Sequence, residues 1–180
     1  MQSISLADLL TQELHAEADT CRRFMDAIPE DKLTWKASDK SHTLGGLAMH
    51  LAEIIDGVSE MATHSVFEAQ NIRADFKQPQ SLAEVHRALD AAVEAAAGRI
   101  SRLSNEQFME DWRLVAGEDT IVIWPRYQVL RGTMLNHIVH HRGQMGVYLR
   151  LVGATVPWCY GPSGDEAPNF PKPEVEPAAV

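Results

Sequence analysis

The chain has 180 residues, enough for one domain with a sizeable core but too few for two comfortable ones. Hydrophobic residues make up 45% and charged residues 23%, the proportions of an ordinary soluble protein, and no apolar run approaches the roughly 18 residues of a membrane span. A formal net charge of -9 with scattered arginines argues against a basic binding surface, so we expect neither nucleic acid nor membrane as a partner.

The N-terminal residues and the two cysteines indicate the cellular compartment. Asp8, Gln12 and Glu13 interrupt the apolar positions near the start, and the basic leader of a signal peptide is missing, which favours the cytoplasm. Cys21 and Cys159 lack Cys-x-x-Cys spacing, so we predict structural thiols rather than a disulfide or a thiolate zinc site.

The first three long elements are predicted from apolar residues at helical spacing. The first helix covers residues 5–28 and ends before a Pro-Glu-Asp sequence. The second covers residues 43–63, with Thr43 as its cap and His50 on its inward stripe. The third covers residues 81–103 and begins with a predicted capping box between Ser81 and Glu84.

The helical spacing of apolar residues is interrupted before the last helix. Residues 104–107 can cap a short helical turn, and the apolar runs 112–115 and 120–123 flank Gly117, which predicts a small β-hairpin. The fourth helix is predicted from Pro125, as its first helical residue, to Val152, with Gly153 as its C-terminal cap.

These elements predict an all-α fold. We expect a four-helix bundle over residues 1–160, with a short irregular or hairpin excursion before the last helix. The long connection over residues 64–80 leaves the order of the helices open. An ordered cover is expected near Trp158 and Tyr160, and residues 161–180 form a proline-rich, acidic C-terminal tail.

Two histidines of the fourth helix carry the strongest functional signal. An α-helix advances about 100° per residue, so His137 and His141 project from nearly the same face and can bind one metal ion. A helical wheel places both in a buried stripe with Leu130 and Met134. The candidate third ligand is His50.

A buried imidazole needs a partner at each ring nitrogen. A shared metal and an outer-shell acceptor supply those partners, whereas ordinary core histidines would use backbone carbonyls or Gln144. Three histidines without a fourth protein ligand leave an open position, as in catalytic zinc sites. Neutral imidazoles suit zinc, nickel, copper or iron, and affinity order alone does not select among them. We expect a divalent metal, with zinc or nickel in first place and iron or manganese as alternatives. Such an ion would lower the pKa of a bound water or thiol.

The other histidines are weaker candidates. His140 either borders the site or reaches solvent, while His15, His42, His64 and His86 are predicted to lie at the surface.

Three further side chains are candidate catalytic residues, although no catalytic role is assigned from the sequence. Gln144 and Tyr148 follow His141 by one and two turns, where they either orient a substrate or pack in the core with their polar ends satisfied. Glu53, one turn after His50, is either a solvated surface charge or an outer-shell partner and proton acceptor.

Three segments together resemble the DinB family of damage-inducible proteins, also called the DinB/YfiT-like metalloenzyme superfamily. They are residues 43–47 (TLGGL) before His50, the HxxxHRGQ sequence from His137 to Gln144, and residues 156–166 (VPWCYGPSGDE). The resemblance extends from Leu9 to about Glu166. It implies a four-helix bundle, usually a homodimer, whose divalent metal is held by three histidines, here His50, His137 and His141.

Family members of known activity resemble thiol-dependent transferases or isomerases that use low-molecular-weight thiols, and others are described as metal-dependent hydrolases. Our leading hypothesis is therefore a metal-dependent enzyme that activates water or a thiol for hydrolysis or for thiol transfer to a small substrate. A thiol cosubstrate usually needs a basic pocket, to which Arg126, Arg131 and Arg142 could contribute.

The alternative is a stress-associated homodimer that binds metal without catalysis. Gly132, Gly143 and Gly146 would permit close approach of another helix, either in a dimer or within one chain. A di-iron bundle is disfavoured because its paired Glu-x-x-His motifs are missing from the sequence.

Overall fold

Long helices and one small sheet make up the fold. A computed structural model describes residues 5–72 and 77–168. The helices are α1 (Leu6–Asp26), α2 (Leu44–Met61), α3 (Leu82–Ile100), α4 (Asn105–Met109), α5 (Arg126–Gln128) and α6 (Asn136–Leu151). The strands are β1 (Val66–Glu68), β2 (Asp111–Ala116) and β3 (Asp119–Pro125). Short 3-10 turns occupy Glu30–Lys32 and Ala69–Asn71.

Side-chain caps fix where the long helices begin. Ser5 and Thr43 each accept a hydrogen bond from an N–H of the first turn of α1 and α2, as expected for N-cap residues. Ser81 likewise accepts from the Glu84 N–H, but the Glu84 carboxylate accepts from the Gln80 N–H. The other hydrogen bond of the predicted capping box, from the Ser81 N–H to the Glu84 side chain, is therefore wrong.

The long helices enclose one apolar core. Helix α2 packs against α3 on one side and against α6 on the other, and α1 also packs against α3 and α6. Apolar side chains inside this arrangement are fully buried, which removes their surface from water. They include Leu14, Met25, Leu44, Leu51, Ile55, Val85, Leu89, Met134, Ile138, Met145 and Leu149.

The predicted hairpin is confirmed, but it belongs to a larger sheet. Strands β2 and β3 pair antiparallel around Gly117, whose φ of 60° suits glycine in a tight turn. Strand β1, which lies in the long connection over residues 64–80 and was not predicted, pairs parallel with β2 and gives the order β1-β2-β3. The Trp112 indole N–H donates to the Met61 carbonyl at 3.1 Å, which ties the sheet to the end of α2.

The last helical segment differs from the predicted uniform α-helix. Pro125 is the final residue of β3 and precedes the helix, so its assignment as the first helical residue is wrong. Residues Val129–Leu135 then form a π-helix, whose hydrogen bonds span five residues and shift the face of every later residue. Within α6 the buried side chains are Ile138, Arg142, Met145 and Leu149.

The segment after α6 packs along the helices as far as the structure describes it. The Arg23 guanidinium lies 4.6 Å from the centre of the Trp158 ring and also contacts Glu166, while Arg150 pairs with Asp165 at 2.6 Å. These contacts extend past residue 160, where the sequence placed the start of the tail. Residues 169–180 of that predicted tail lie outside the described residues. Among the helices described, none is long and apolar enough to cross a bilayer.

Candidate metal centre

Three histidines from two packed helices converge on one point. His50 lies near the middle of α2, and His137 and His141 lie one turn apart on α6. The His50 ring centre is 5.6 Å from that of His137 and 4.9 Å from that of His141, and the latter two are 4.7 Å apart. One ring nitrogen from each residue lies within 4.8 Å of the other two.

The spacing of these nitrogens fits a single ion. Ligands of a tetrahedral zinc ion, each about 2.1 Å from the metal, lie about 3.4 Å from one another. The Nε2 atoms of His137 and His141 are 2.9 Å apart, and the full set is within 4.8 Å, so small ring rotations would give the required separation. The donor set of three imidazoles suits zinc, nickel, copper and iron.

Gln144 fixes the tautomer of His141. The Gln144 Oε1 atom lies 2.7 Å from the His141 Nδ1 atom and accepts a hydrogen bond from it. The His141 Nε2 atom then carries no proton and faces His137, from which it can accept. The Gln144 amide nitrogen lies 3.1 Å from the Nε2 atom of His140, so one amide group contacts both imidazoles. Gln144 thus supports a candidate ligand from the solvent side.

Glu53 occupies the equivalent outer position beside His50. Its Oε2 atom lies 3.5 Å from the His50 Nδ1 atom, one helical turn away on α2. Burial raises the pKa of the Glu53 carboxyl, and the neighbouring Lys77 acts against this shift. A carboxyl group in this place can orient the His50 ring or accept a proton near the site.

The imidazoles are held in the neutral form that metal binding needs. Burial lowers the pKa of His50 to about 4, and the nearby His141, His137 and His42 add to this effect. Burial also lowers the pKa of His137 and His141, again helped by neighbouring imidazoles. All three rings are therefore uncharged at neutral pH.

His42, predicted to lie at the surface, is instead a close neighbour of the site. Its ring is half-buried, stacks on that of His50 with centres 5.7 Å apart, and meets that of His141 edge-on at 6.4 Å. His42 precedes the α2 cap by one residue, and its distance from His141 depends on how α2 and α6 pack. His140 is exposed, with its ring centre 5.0 Å from that of His141. Among the described residues only His50, His137 and His141 form a group able to share one ion.

A cavity of about 230 Å³ opens beside the three histidines. His50 and His137 contribute to its wall, which extends along α2 to Met61 and also includes Phe67 of β1. Of the candidate catalytic residues, Glu53 lines the cavity, whereas Gln144 is exposed beside His140 and His141. Tyr148 packs edge-on against Trp35, with ring centres 5.5 Å apart.

The three arginines considered for a basic pocket are engaged elsewhere. Arg142 is buried against Glu17 at 2.5 Å, and Arg131 pairs with Glu13 at 3.0 Å. Arg126 is buried and donates to the Ala62 carbonyl at 2.8 Å. None of the three lines the cavity.

Comparison with known proteins agrees with this fold. The sequence matches the profile described as the DinB family over residues 1–174. It is 27% identical over 158 residues to an uncharacterized protein of Bacillus subtilis, YrdA, a match that covers 86% of this chain and 87% of that protein.

Two solved structures are similar in fold. A DinB-like protein from Bacillus cereus has a TM-score of 0.62 and 21% identity, with 84% of this chain and 95% of that one covered. A second DinB-like protein, YjoA of Bacillus subtilis, has a TM-score of 0.64 and 14% identity, with 83% and 96% covered.

Proposed function

The chain belongs to the DinB family, and on this premise we propose that it is a metal-dependent enzyme that activates a water or a thiol for attack on a small substrate. The reaction class is hydrolysis or thiol transfer. The observation that carries the proposal is the convergence of His50, His137 and His141 at the end of a cavity large enough for a small molecule.

The three imidazoles would hold the ion through one nitrogen each and leave at least one coordination position open. A divalent ion bound in this way lowers the pKa of a water or thiol and so supplies a nucleophile near neutral pH. Gln144 holds the His141 ring, and Glu53 stands by the His50 ring, so the chain itself orients two of the three ligands.

Glu53 is also the best-placed group to accept a proton. It lines the cavity next to His50, and its pKa is raised by burial toward the range useful for proton transfer. Tyr148 packs against Trp35 and does not line the cavity, so the proposal gives it no contact with the substrate.

We interpret the four long helical segments as a four-helix bundle, the architecture that the family implies. In such bundles the ligands of a metal project inward from facing helices. The packing of α2 against α6 places His50 opposite the histidine pair, which supports this interpretation.

Metal analysis of protein purified without a chelating tag tests the site. We expect about one equivalent of a divalent metal in the wild type and a large loss in His137→Ala. The matched control is His15→Ala, which removes an exposed histidine of α1. Full metal content in His137→Ala would overturn the assignment of the three ligands.

Turnover distinguishes the enzyme from the non-catalytic alternative. Metal-free protein should be inactive against a panel of hydrolysis and thiol-transfer substrates, and the added metal that restores binding should also restore activity. A protein that gains thermal stability from metal but turns over no substrate would instead support a storage or structural role. Size-exclusion chromatography with light scattering tests the homodimer that the family implies.

A further inference from the structure

The cavity beside the histidines is a narrow slot along α2. Its lining on that helix extends from His50 to Met61, about three turns and about 16 Å at 1.5 Å per residue. An apolar cavity of about 150 Å³ accommodates benzene, so 230 Å³ has room for about nine non-hydrogen atoms. Because this small volume is spread over about three helical turns, the slot fits an extended hydrocarbon ligand better than a compact ring.

The walls of the slot are mainly apolar. Ile54 and Val58 contribute from α2, and Phe67 and Ile72 contribute from the segment that contains β1. Ile72 is 46% exposed, so part of its apolar surface is available to a ligand. A hydrocarbon group in the slot would be removed from water along much of its length.

Gly57 keeps the slot open. It lies inside α2, where glycine costs about 1 kcal/mol relative to alanine. A Cβ atom at Gly57 would meet no heavy atom within 4 Å apart from its own helical backbone, so close helix packing does not require the glycine. The glycine instead leaves the cavity wall free of a side chain.

The charged side chains that the described residues contribute to the slot are acidic. Glu53, Asp56 and Glu60 line it, and no lysine or arginine does so among the described residues. Arg99 pairs with Asp56 at 2.8 Å from the α3 side, and Lys77 lies near Glu53, so among the described residues Glu60 contributes most of the uncompensated charge of the wall. Glu60 lies ten residues after His50, about 15 Å along the helix from the histidine cluster.

From this arrangement we propose that the slot takes a substrate with a linear apolar body and a neutral or positively charged far end. The inference rests on the proposed function, because the reacting group would lie at the three histidines. An amine at the far end would meet the Glu60 carboxylate about 15 Å from the ion, far enough to limit repulsion by the metal. A carboxylate at that end would face like charge instead.

The test uses three linear probes of matched length: n-heptylamine, n-heptanol and n-heptanoate. Binding to the full-length protein is followed by NMR of methyl-labelled methionine, in which the Met61 signal reports on the slot. The metal-free protein is titrated first, so that heptanoate cannot gain affinity by binding an ion. We expect heptylamine to bind at least about tenfold more tightly than heptanoate, with heptanol between them.

Two substitutions test the place and the charge. Gly57→Leu would occupy about half of the slot and should reduce heptylamine affinity at least about tenfold. Gly98→Leu is the matched control, because Gly98 is also inside a long helix with open space at its Cβ position but does not line the cavity. Glu60→Gln should remove most of the preference for the amine, whereas Glu94→Gln on the exposed face of α3 should keep it.

Zinc titration of the same proteins separates this inference from the proposed function. Gly57→Leu leaves the three histidines intact, so its zinc affinity should equal that of the wild type. Equal binding of heptylamine and heptanoate, or unchanged heptylamine binding in Gly57→Leu, would overturn the proposed substrate class. Neither result would affect the assignment of the metal site. Absence of zinc binding in the wild type would overturn the proposed function, and the probe titrations would still decide the charge preference of the slot.

Discussion

The buried ion pair between Glu17 and Arg142 offers a sharp test of how α1 and α6 are held together. The Arg142 side chain is 1% exposed, and its Nη1 atom lies 2.5 Å from the Glu17 carboxylate. Its Nη2 atom donates to the Tyr160 hydroxyl oxygen at 2.7 Å, and that hydroxyl donates to the other Glu17 oxygen at 2.7 Å. Glu17→Ala would therefore remove the counter-charge and leave the guanidinium buried with the Tyr160 hydroxyl as its main side-chain partner.

The expected loss of stability is large. Breaking a buried pair by removing one partner costs about 3–5 kcal/mol, because the remaining charge stays out of water. The Tyr160 contact survives, so we expect a value near the lower end, about 3 kcal/mol. With a urea dependence of about 2 kcal/mol/M for a chain of this size, the midpoint of unfolding should fall by about 1.5 M.

The assay is urea unfolding of the metal-free protein at pH 7, followed by far-ultraviolet circular dichroism. Glu13→Ala is the matched control on the same helix, since Glu13 pairs with Arg131 at 3.0 Å and both side chains are 36% exposed. An exposed pair contributes at most about 1 kcal/mol. If Glu17→Ala and Glu13→Ala lose the same free energy within 1 kcal/mol, the guanidinium does not depend on its buried partner and the reasoning fails.

Three further predictions concern single side chains. Gln144→Ala should weaken zinc affinity by about 10–100-fold in calorimetry without unfolding the protein, because the amide orients His141; an unchanged affinity would argue against this role. Burial raises the pKa of the Cys21 thiol to about 11, so native protein at pH 8 should alkylate there at least about 100-fold more slowly than unfolded protein in a mass-spectrometric time course. Burial and the hydrogen bond to Glu17 raise the pKa of Tyr160 to about 12. The protonated tyrosine therefore stabilises the fold below pH 10, and this part of the free energy of unfolding should be lost as pH rises from 10 to 12. Urea unfolding of Tyr160→Phe should lack this part of the pH dependence.

Much of the candidate site was predictable because its signals are local. The four-residue spacing of His137 and His141 fixes their common direction within any α-helix, and the structure keeps that segment α-helical. The Thr43 cap set the start of α2, and with it the face on which His50 lies. The convergence of the three rings then followed from the packing of α2 against α6.

The parts that the sequence did not predict depend on non-local contacts or on rare geometry. Strand β1 has three residues and pairs with a strand more than forty residues later, so it carries no periodic signal of its own. His42, one residue before the α2 cap, comes near both His50 and His141 only when α2 and α6 pack together. No spacing rule predicts either contact.

The π-helix explains why the helical wheel placed the histidines too deep in the core. A wheel that runs from Leu130 to His141 assumes 3.6 residues per turn, but the hydrogen bonds over Val129–Leu135 span five residues. The buried stripe that contains Leu130 and Met134 therefore continues through Ile138 rather than through the histidines. His137 and His141 lie beside that stripe and are half-buried, and His137 also lines the cavity.

This offset also explains why His141, a candidate metal ligand, and Arg142, a buried cation, occupy adjacent positions. Consecutive residues of an α-helix project about 100° apart, so His141 faces α2 while Arg142 faces α1. The contact between Arg142 and Glu17 fixes the rotation of α6 about its own axis, and a rotation of a few tens of degrees would carry the His141 ring away from His50. The arginine of the HRGQ sequence thus contributes to the candidate site by orienting the helix that carries two of its three histidines.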